Sequence, residues 1–197
     1  MTNTVIFYDT EYTAWEGSQQ RRWSEPWEHR ELIQIAAIKV DIQRGFMEQA
    51  AFDRFVKPQH NPILSDYISN LTGIHQASID AHGVPFADAW ADFYQFCERG
   101  RYPLFSWGDD PGVLLENCGL NSIDFSAFSL EYHDIRTVFE QAGIDTRQYS
   151  SGTVHRALEI AFALPGHNAL HDVRSLLVTM AELSHRKCLP ENWFRLF

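Results

Sequence analysis

The hydrophobic pattern begins with an unbroken run, Val5-Ile6-Phe7-Tyr8, that delivers Asp9-Thr10-Glu11. A short apolar run bounded by polar residues predicts a strand covered on both faces, as in the middle of an α/β sheet. Residues 32–40 and 46–56 read as a second and third strand, with Gly45 as the turn between them, so the first three strands form an antiparallel meander. Residues 102–107 and 131–134 predict two further strands. Over residues 85–99, Phe86, Ala89, Trp90, Phe93, Phe96 and Cys97 recur at spacings of three and four, the pattern of an amphipathic helix. Shorter helical segments are expected at 64–71, at 76–80, from the acidic turn 108–112 to about Cys118, and at 135–142. A helix at 151–163 is expected to turn Val154, Ala157, Leu158 and Ala161 inward before Leu164-Pro165-Gly166 breaks it. Asn168 is placed to cap a last long helix at 169–185, whose inner face is Ala169, Val173, Leu176, Leu177 and Met180.

Residues 12–30 carry neither period. They hold Trp15, Trp23 and Trp27, the turn formers Gly17, Ser18 and Pro26, and the pair Arg21-Arg22. Connections beyond about 12 to 15 residues are usually functional or mobile. This stretch therefore reads either as a surface loop pinned by tryptophan packing or as a flap on the substrate side, with aromatics for bases and arginines for phosphates. No repeat, low-complexity tract or linker divides the chain, so one domain over 1–197 is expected, with 12–30 as a loop insertion.

Composition narrows the class. At 197 residues, 45% hydrophobic and 21% charged, the chain has the make-up of a soluble globular protein. No apolar stretch approaches the roughly 20 residues that cross a bilayer, and the N-terminus lacks signal-peptide features, so a cytoplasmic location and no membrane partner are expected. Cys97, Cys118 and Cys188 are widely spaced and form no CxxC pair, which argues against a disulfide framework or zinc site and for buried or inert thiols. A net charge of −10 argues against a protein that coats duplex nucleic acid. It is compatible with an enzyme whose carboxylates hold metal ions and whose partner is a short single-stranded end.

Three local patterns carry chemistry. Side chains alternate along a strand, so Asp9 and Glu11 point to one side at its end, where two carboxylates repel unless a divalent cation lies between them. After Trp107, the run Gly108-Asp109-Asp110-Pro111-Gly112 joins a strand to a helix, a geometry that puts carboxylates at a sheet's edge crevice. In Gly166-His167-Asn168-Ala169-Leu170-His171-Asp172, positions five apart differ by roughly 140° around a helix. His167 and Asp172 can meet if His167 lies on the loop before the helix. An isolated Asp-x-Glu is as easily a solvated strand end, and a histidine near a helix start is commonly a cap; the ordered set is more specific than its parts.

That ordered set resembles the DEDDh branch of the DnaQ-like 3′–5′ exonucleases over nearly the whole chain. Asp9-Thr10-Glu11 matches the first motif, the acidic turn after Trp107 the second, and His167 to Asp172 the third. The chain looks most like the Eri-like and RNase T-type group on the strength of Glu31-Leu32-Ile33-Gln34-Ile35, Phe55-Val56-Lys57-Pro58, Leu64-Ser65-Asp66-Tyr67, Leu71-Thr72-Gly73-Ile74 and Ser106-Trp107-Gly108. The resemblance implies an α/β, ribonuclease H-like fold with a central mixed five-stranded sheet flanked by helices. It implies hydrolysis of single-stranded nucleic acid from the 3′ end, RNA favoured and DNA allowed, releasing nucleoside 5′-monophosphates. Two divalent ions, Mg²⁺ or Mn²⁺, would be held by Asp9, Glu11, Asp110 and Asp172, with His167 as general base. Thr10, Tyr12 and Thr72 would line the terminal nucleotide's pocket.

Relatives often carry an aromatic before the second-motif Asp, whereas Asp109 and Asp110 are adjacent here; spacing to Leu114 and Cys118 favours Asp110, with Asp109 as the alternative. His75, His82, His155 and His185 are expected to be solvated, His171 to face away from the metals, Asp134 to be structural or capping, and Phe105 and Trp107 to lie in the core. Two other readings remain at this point. One is a binding module that kept the fold without catalysis; the other is an internally cutting ribonuclease H-like enzyme, which His167 fits less well.

Overall fold

A computed structural model describes residues 3–190 and 193. In chain order the elements are β1 (Thr4–Tyr12), α1 (Ser18–Arg21), β2 (Leu32–Asp41), β3 (Met47–Phe55), α2 (Asp66–Thr72), α3 (Gln76–His82), α4 (Phe86–Phe96), β4 (Leu104–Ser106), α5 (Asp110–Leu120), β5 (Tyr132–Asp134), α6 (Arg136–Gln141) and α7 (Ala169–His185). Among the described residues the sheet has five strands in the order β3-β2-β1-β4-β5. β2 is antiparallel to both β1 and β3, while β4 runs parallel to β1 and to β5, which makes the sheet mixed. No helix among the described residues is long and apolar enough to cross a membrane.

β1 is central because both of its faces are apolar. Val5 and Phe7 join Ile38, Val40 and the α7 residues Val173, Leu176 and Met180 in one core. Ile6 and Tyr8 join Phe86, Ala89, Trp90 and Phe93 of α4 and Val113 and Leu114 of α5 in the other. Each large apolar side chain so buried contributes about 1.5–3 kcal/mol. The alternation also fixes where the carboxylates go: the odd positions that face α7 include Asp9 and Glu11. β4 pairs with β1 only at Ile6 and Phe7, so the carboxyl end of β1 projects past its parallel neighbour. A register shift at Glu11/Tyr12 ends its regular pairing with β2.

Several expectations are corrected. The helix expected over 151–163 is only a 3₁₀ turn, Val154–Leu158, closed by Glu159 at φ 59. Its start is taken up by local bonds: the Ser150 N–H donates to Thr153 Oγ1 at 2.8 Å, and the two hydroxyls lie 3.1 Å apart. Such side-chain bonds compete with helical ones. Ala161 is exposed as a result. His155 is buried, not solvated, because this turn packs against α7, and its Nδ1 lies 3.1 Å from Ser175 Oγ. The 12–30 stretch is not wholly loop: Gly17, at φ 79, leads into the one-turn helix α1. Cys97 and Cys118 are buried, but Cys188 is exposed.

Candidate active site

The site lies at the carboxyl ends of β1 and β4 and at the N-termini of α5 and α7. Asp9 and Glu11 approach from β1, and Asp172 from the first turn of α7; one oxygen from each lies within 4.8 Å of the others, and all three residues are buried. α7 starts where it does because Asn168 caps it, its side chain accepting the His171 N–H. Gln34 on β2 pins that same end to the sheet, its Oε1 accepting the Ala169 N–H at 3.0 Å. Asp172 Oδ2 accepts the Ser151 hydroxyl at 3.0 Å, whereas Asp172 Oδ1 is buried with no hydrogen-bond partner among the described residues. Gly152 makes room for it: a Cβ there would lie 2.5 Å from Oδ1.

Asp110 is the first residue of α5 and accepts a hydrogen bond from the Thr10 hydroxyl. Asp110 is buried beside the cluster, while the Asp109 carboxylate turns outward to Arg30 Nη1 at 3.0 Å. The geometry thus favours Asp110 over Asp109 as the mid-chain carboxylate of the cavity. His167 sits on the loop before α7 at φ 60, exposed, and lines the same cavity as the four carboxylates.

Electrostatics follow from the crowding. Burial pushes Asp9 well above the usual carboxylate range, and Asp110, Asp172 and Glu11 push it further. Glu11 is raised by burial and then by Asp172 and Asp110. Burial lifts Asp110 to about 7 against the bond from Thr10, and lifts Asp172 against Ser151 and the nearby His167 charge. Desolvated carboxylates in mutual contact favour the neutral form unless a cation joins them. The partnerless Asp172 oxygen and an all-oxygen donor set fit a hard divalent ion.

The cavity, of about 230 Å³, has an apolar wall from Tyr67, Ile68 and Leu71 of α2 and from Trp107. Thr10 and Tyr12 line it as expected positions, but Thr72 does not. The Thr72 hydroxyl is spent within its own turn, donating to the Ile68 carbonyl at 2.8 Å and accepting the Ile74 N–H at 3.0 Å. Trp107, expected in the core, is half-buried at the cavity wall. Sequence reasoning missed Ser151 and Gly152; the run Ser150-Ser151-Gly152 is a loop signal that a helical reading of 151–163 overrode.

The 12–30 stretch forms another wall. Its Arg21 is tied to the buried Glu28, which also accepts the Ser18 hydroxyl at 2.8 Å. Trp15 and Trp27 pack edge to face at 4.6 Å. Trp23 donates its indole N–H to the Thr13 carbonyl at 3.2 Å and, with Gln19, lines the cavity.

Comparison with known proteins gives concordant results. The RNase_T family model, described as exonuclease, matches residues 6–105. The 3′–5′ exonuclease Snipper of Drosophila melanogaster is 25% identical over 199 residues, covering 91% of this chain and 68% of Snipper. ERI1 exoribonuclease 2 of Mus musculus is 34% identical over 208 residues, covering 94% of this chain but only 29% of that protein. Among solved structures, the nuclease domain of 3′hExo, a DEDDh family member bound to rAMP, superposes with a TM-score of 0.79 at 21% identity over 95% of both chains. E. coli Exonuclease I in complex with a dA16 oligonucleotide superposes with a TM-score of 0.68 at 16% identity, over 93% of this chain and 41% of that one. At these identities the superpositions show the fold.

Proposed function

The chain belongs to the RNase_T exonuclease family and has the ribonuclease H-like fold of the DEDDh nucleases, and on that premise we propose that it hydrolyses single-stranded nucleic acid from the 3′ end and releases nucleoside 5′-monophosphates. The observation that carries this reading is the Asp172 oxygen, buried without a partner and packed with Asp9 and Glu11 at the end of the central strand. Asp9, Glu11, Asp110 and Asp172 would hold two divalent ions, Mg²⁺ or Mn²⁺. Bound there, such ions supply positive charge that activates water and stabilises the departing oxygen.

The remaining steps fall to the chain's own groups. His167, at the rim of the cavity, takes the proton of the attacking water, a task suited to imidazole because its ordinary titration range lies nearest neutrality. Thr10 holds Asp110 in place through its hydroxyl. Ser151 orients Asp172. Tyr67, Ile68, Leu71 and Trp107 supply an apolar wall against which the terminal nucleoside stacks. RNA is the favoured substrate, in keeping with the exoribonuclease named among the relatives, and short oligomers suit the net charge of −10.

The test is a time course on 5′-labelled single-stranded RNA and DNA of one sequence, with Mg²⁺, with Mn²⁺ and with chelator, alongside 3′-phosphate-blocked controls. A metal-dependent ladder that shortens only from a free 3′ end, and faster on RNA, is the expected result. No shortening of either strand by folded, metal-loaded protein overturns the reading in favour of a binding module.

A further inference from the structure

A second groove adjoins the catalytic cavity. It encloses about 370 Å³ and is lined by Arg22, Trp23, Arg30, Asp109 and Glu116. Trp23 and Asp109 also line the cavity that holds the four carboxylates, so the two spaces are neighbours that share a wall. A strand whose 3′-terminal nucleotide fills the cavity must leave it on its 5′ side, and this groove is a path of the right kind.

Charge and backbone both mark the corner at Arg22 and Trp23. Arg21 is consumed by Glu28, and Arg30 is held by Glu116 at 2.8 Å and Asp109 at 3.0 Å. Arg22 is exposed, and its guanidinium makes no ion pair among the described residues. Arg30 draws both acids onto itself, and Arg22 offsets what remains. The groove is therefore close to neutral beside a carboxylate cluster and on a chain of net charge −10. Arg22 at φ 58 and Trp23 at φ 50 are consecutive left-handed residues, neither of them glycine. That conformation is unfavourable for residues with a Cβ and collects at functional sites. It is held by the Trp23 N–H donating to the Ser18 carbonyl at 2.9 Å and by the Trp23 ring packed 5.6 Å from Tyr12. The turn leaves the indole as the partition between the two spaces, with the free guanidinium in the outer one.

We propose that this groove is a subsite for the second nucleotide from the 3′ end, its base stacking on Trp23 and its own 5′-side phosphate paired with Arg22. Base stacking on an indole tolerates any sequence, and a guanidinium matches a phosphate through two parallel N–H bonds. The subsite rests on the exonuclease reading and deepens it. Trp15, Trp27, Arg21 and Arg30 are each engaged within the fold. Trp23 is anchored too, by its indole N–H to Thr13, by Tyr12 and by the Arg30 guanidinium 6.0 Å from its ring centroid, so it offers a fixed ring, and Arg22 is the cation that remains for the phosphate among the described residues.

The test compares two substrates in Mn²⁺: the p-nitrophenyl ester of thymidine 5′-monophosphate, which reaches only the catalytic cavity, and a trinucleotide, whose inner phosphate reaches Arg22. In Arg22→Ala the ratio of kcat/KM for trinucleotide to that for ester is expected to fall about tenfold, mostly through KM, as for loss of one charged hydrogen bond. Arg22→Lys is expected to recover part of it. The salt dependence of log KM for the trinucleotide is expected to flatten by about 0.7 in slope, one phosphate contact on a single strand. A trinucleotide with a neutral methylphosphonate at that inner linkage is expected to lose the same factor on the wild-type chain and nothing further on Arg22→Ala. A wild-type ratio in Arg22→Ala, or a cost of Arg22→Ala relative to wild type that is as large for the neutral linkage as for the charged one, overturns the subsite while leaving the exonuclease reading standing. Failure of the wild-type chain to hydrolyse either substrate overturns the exonuclease reading and the subsite with it.

Discussion

Two regions of this molecule bury carboxylates, and they treat them in opposite ways. Glu31, at 3% exposure, accepts the N–H groups of Gln59, His60 and Asn61 at 2.6, 2.8 and 2.6 Å. Glu28, buried to the same degree, accepts the Ser18 hydroxyl and the Arg21 guanidinium, which holds its carboxyl below the usual range. Asp172, also at 3%, accepts one hydroxyl and leaves an oxygen without a donor beside Asp9 and Glu11. Burial is equal; donor supply is not. A carboxylate surrounded by N–H groups ties segments together, whereas a buried group of carboxylates short of donors carries a cost that a bound cation relieves.

The comparison breaks most visibly if the donor-poor group proves structural. Asp9→Asn and Asp172→Asn are expected to lower kcat on 5′-labelled RNA by about 10²- to 10³-fold, the scale of losing one preorganised charge in a site. In chelator, neither variant should be less stable to urea, since each removes like-charge repulsion; a marked loss of stability would place these residues with Glu31.

Metal loading is the next largest effect. An ion at a hundred times its Kd is expected to stabilise the native chain by about 2.7 kcal/mol. The effect depends on pH in a defined direction. Burial lifts Asp110 from 3.8 to about 7 in the native state, so between those values the folded chain keeps a proton that the unfolded chain has released. Asp110's contribution to stability in chelator is therefore fully present below the lower value and is lost as pH rises toward 7. With ions bound the carboxylates are already deprotonated, so the gap in Tm between Mn²⁺ and chelator should widen from pH 4.5 to 7.5. A gap that narrows with pH would contradict the assignment.

Glu31→Gln sharpens the other half. It replaces one carboxylate oxygen by an NH2 group, so at least one of the three N–H donors loses its acceptor and the rest face a neutral one, and it is expected to cost about 1.5–3 kcal/mol in urea unfolding, while the folded fraction keeps its nuclease rate. Smaller in its effect on stability is Ser151→Ala, which removes the side-chain donor to Asp172. Weakening of Mn²⁺ affinity by about tenfold in calorimetric titration is expected, as for loss of a ligand-orienting hydrogen bond, with stability little changed. Gly152→Ala tests the same oxygen by steric means, since the new Cβ would crowd it, and should weaken Mn²⁺ binding further.

Much of the fold was legible in the chain. β1 announced itself because a strand covered on both faces must be apolar at every position, and α7 because its period and Asn168 cap are local signals. The odd-numbered alignment of Val5, Phe7, Asp9 and Glu11 follows from the pleat alone. The segment around Ser151 was misread because helical spacing of Val154, Ala157 and Leu158 takes no account of hydroxyls that bond their own backbone. His155 and Thr72 were misplaced for a related reason: what covers a residue, or occupies its hydroxyl, depends on neighbours that spacing does not specify.

By itself, then, the sequence determined the covered central strand, the last helix and its cap, and the residue types that meet at their ends, since periodicity and capping act over a few positions. Only the tertiary structure decided that Asp110 turns inward while Asp109 turns to Arg30, that Glu31 finds three donors, and that among the described residues Asp172 Oδ1 finds none and Arg22 has no ion-pair partner. Those outcomes rest on contacts such as Thr10 to Asp110, 100 positions apart. The physical reason is that a charged group's state is set by the donors and charges that folding brings to it, and no local pattern encodes which distant groups those are.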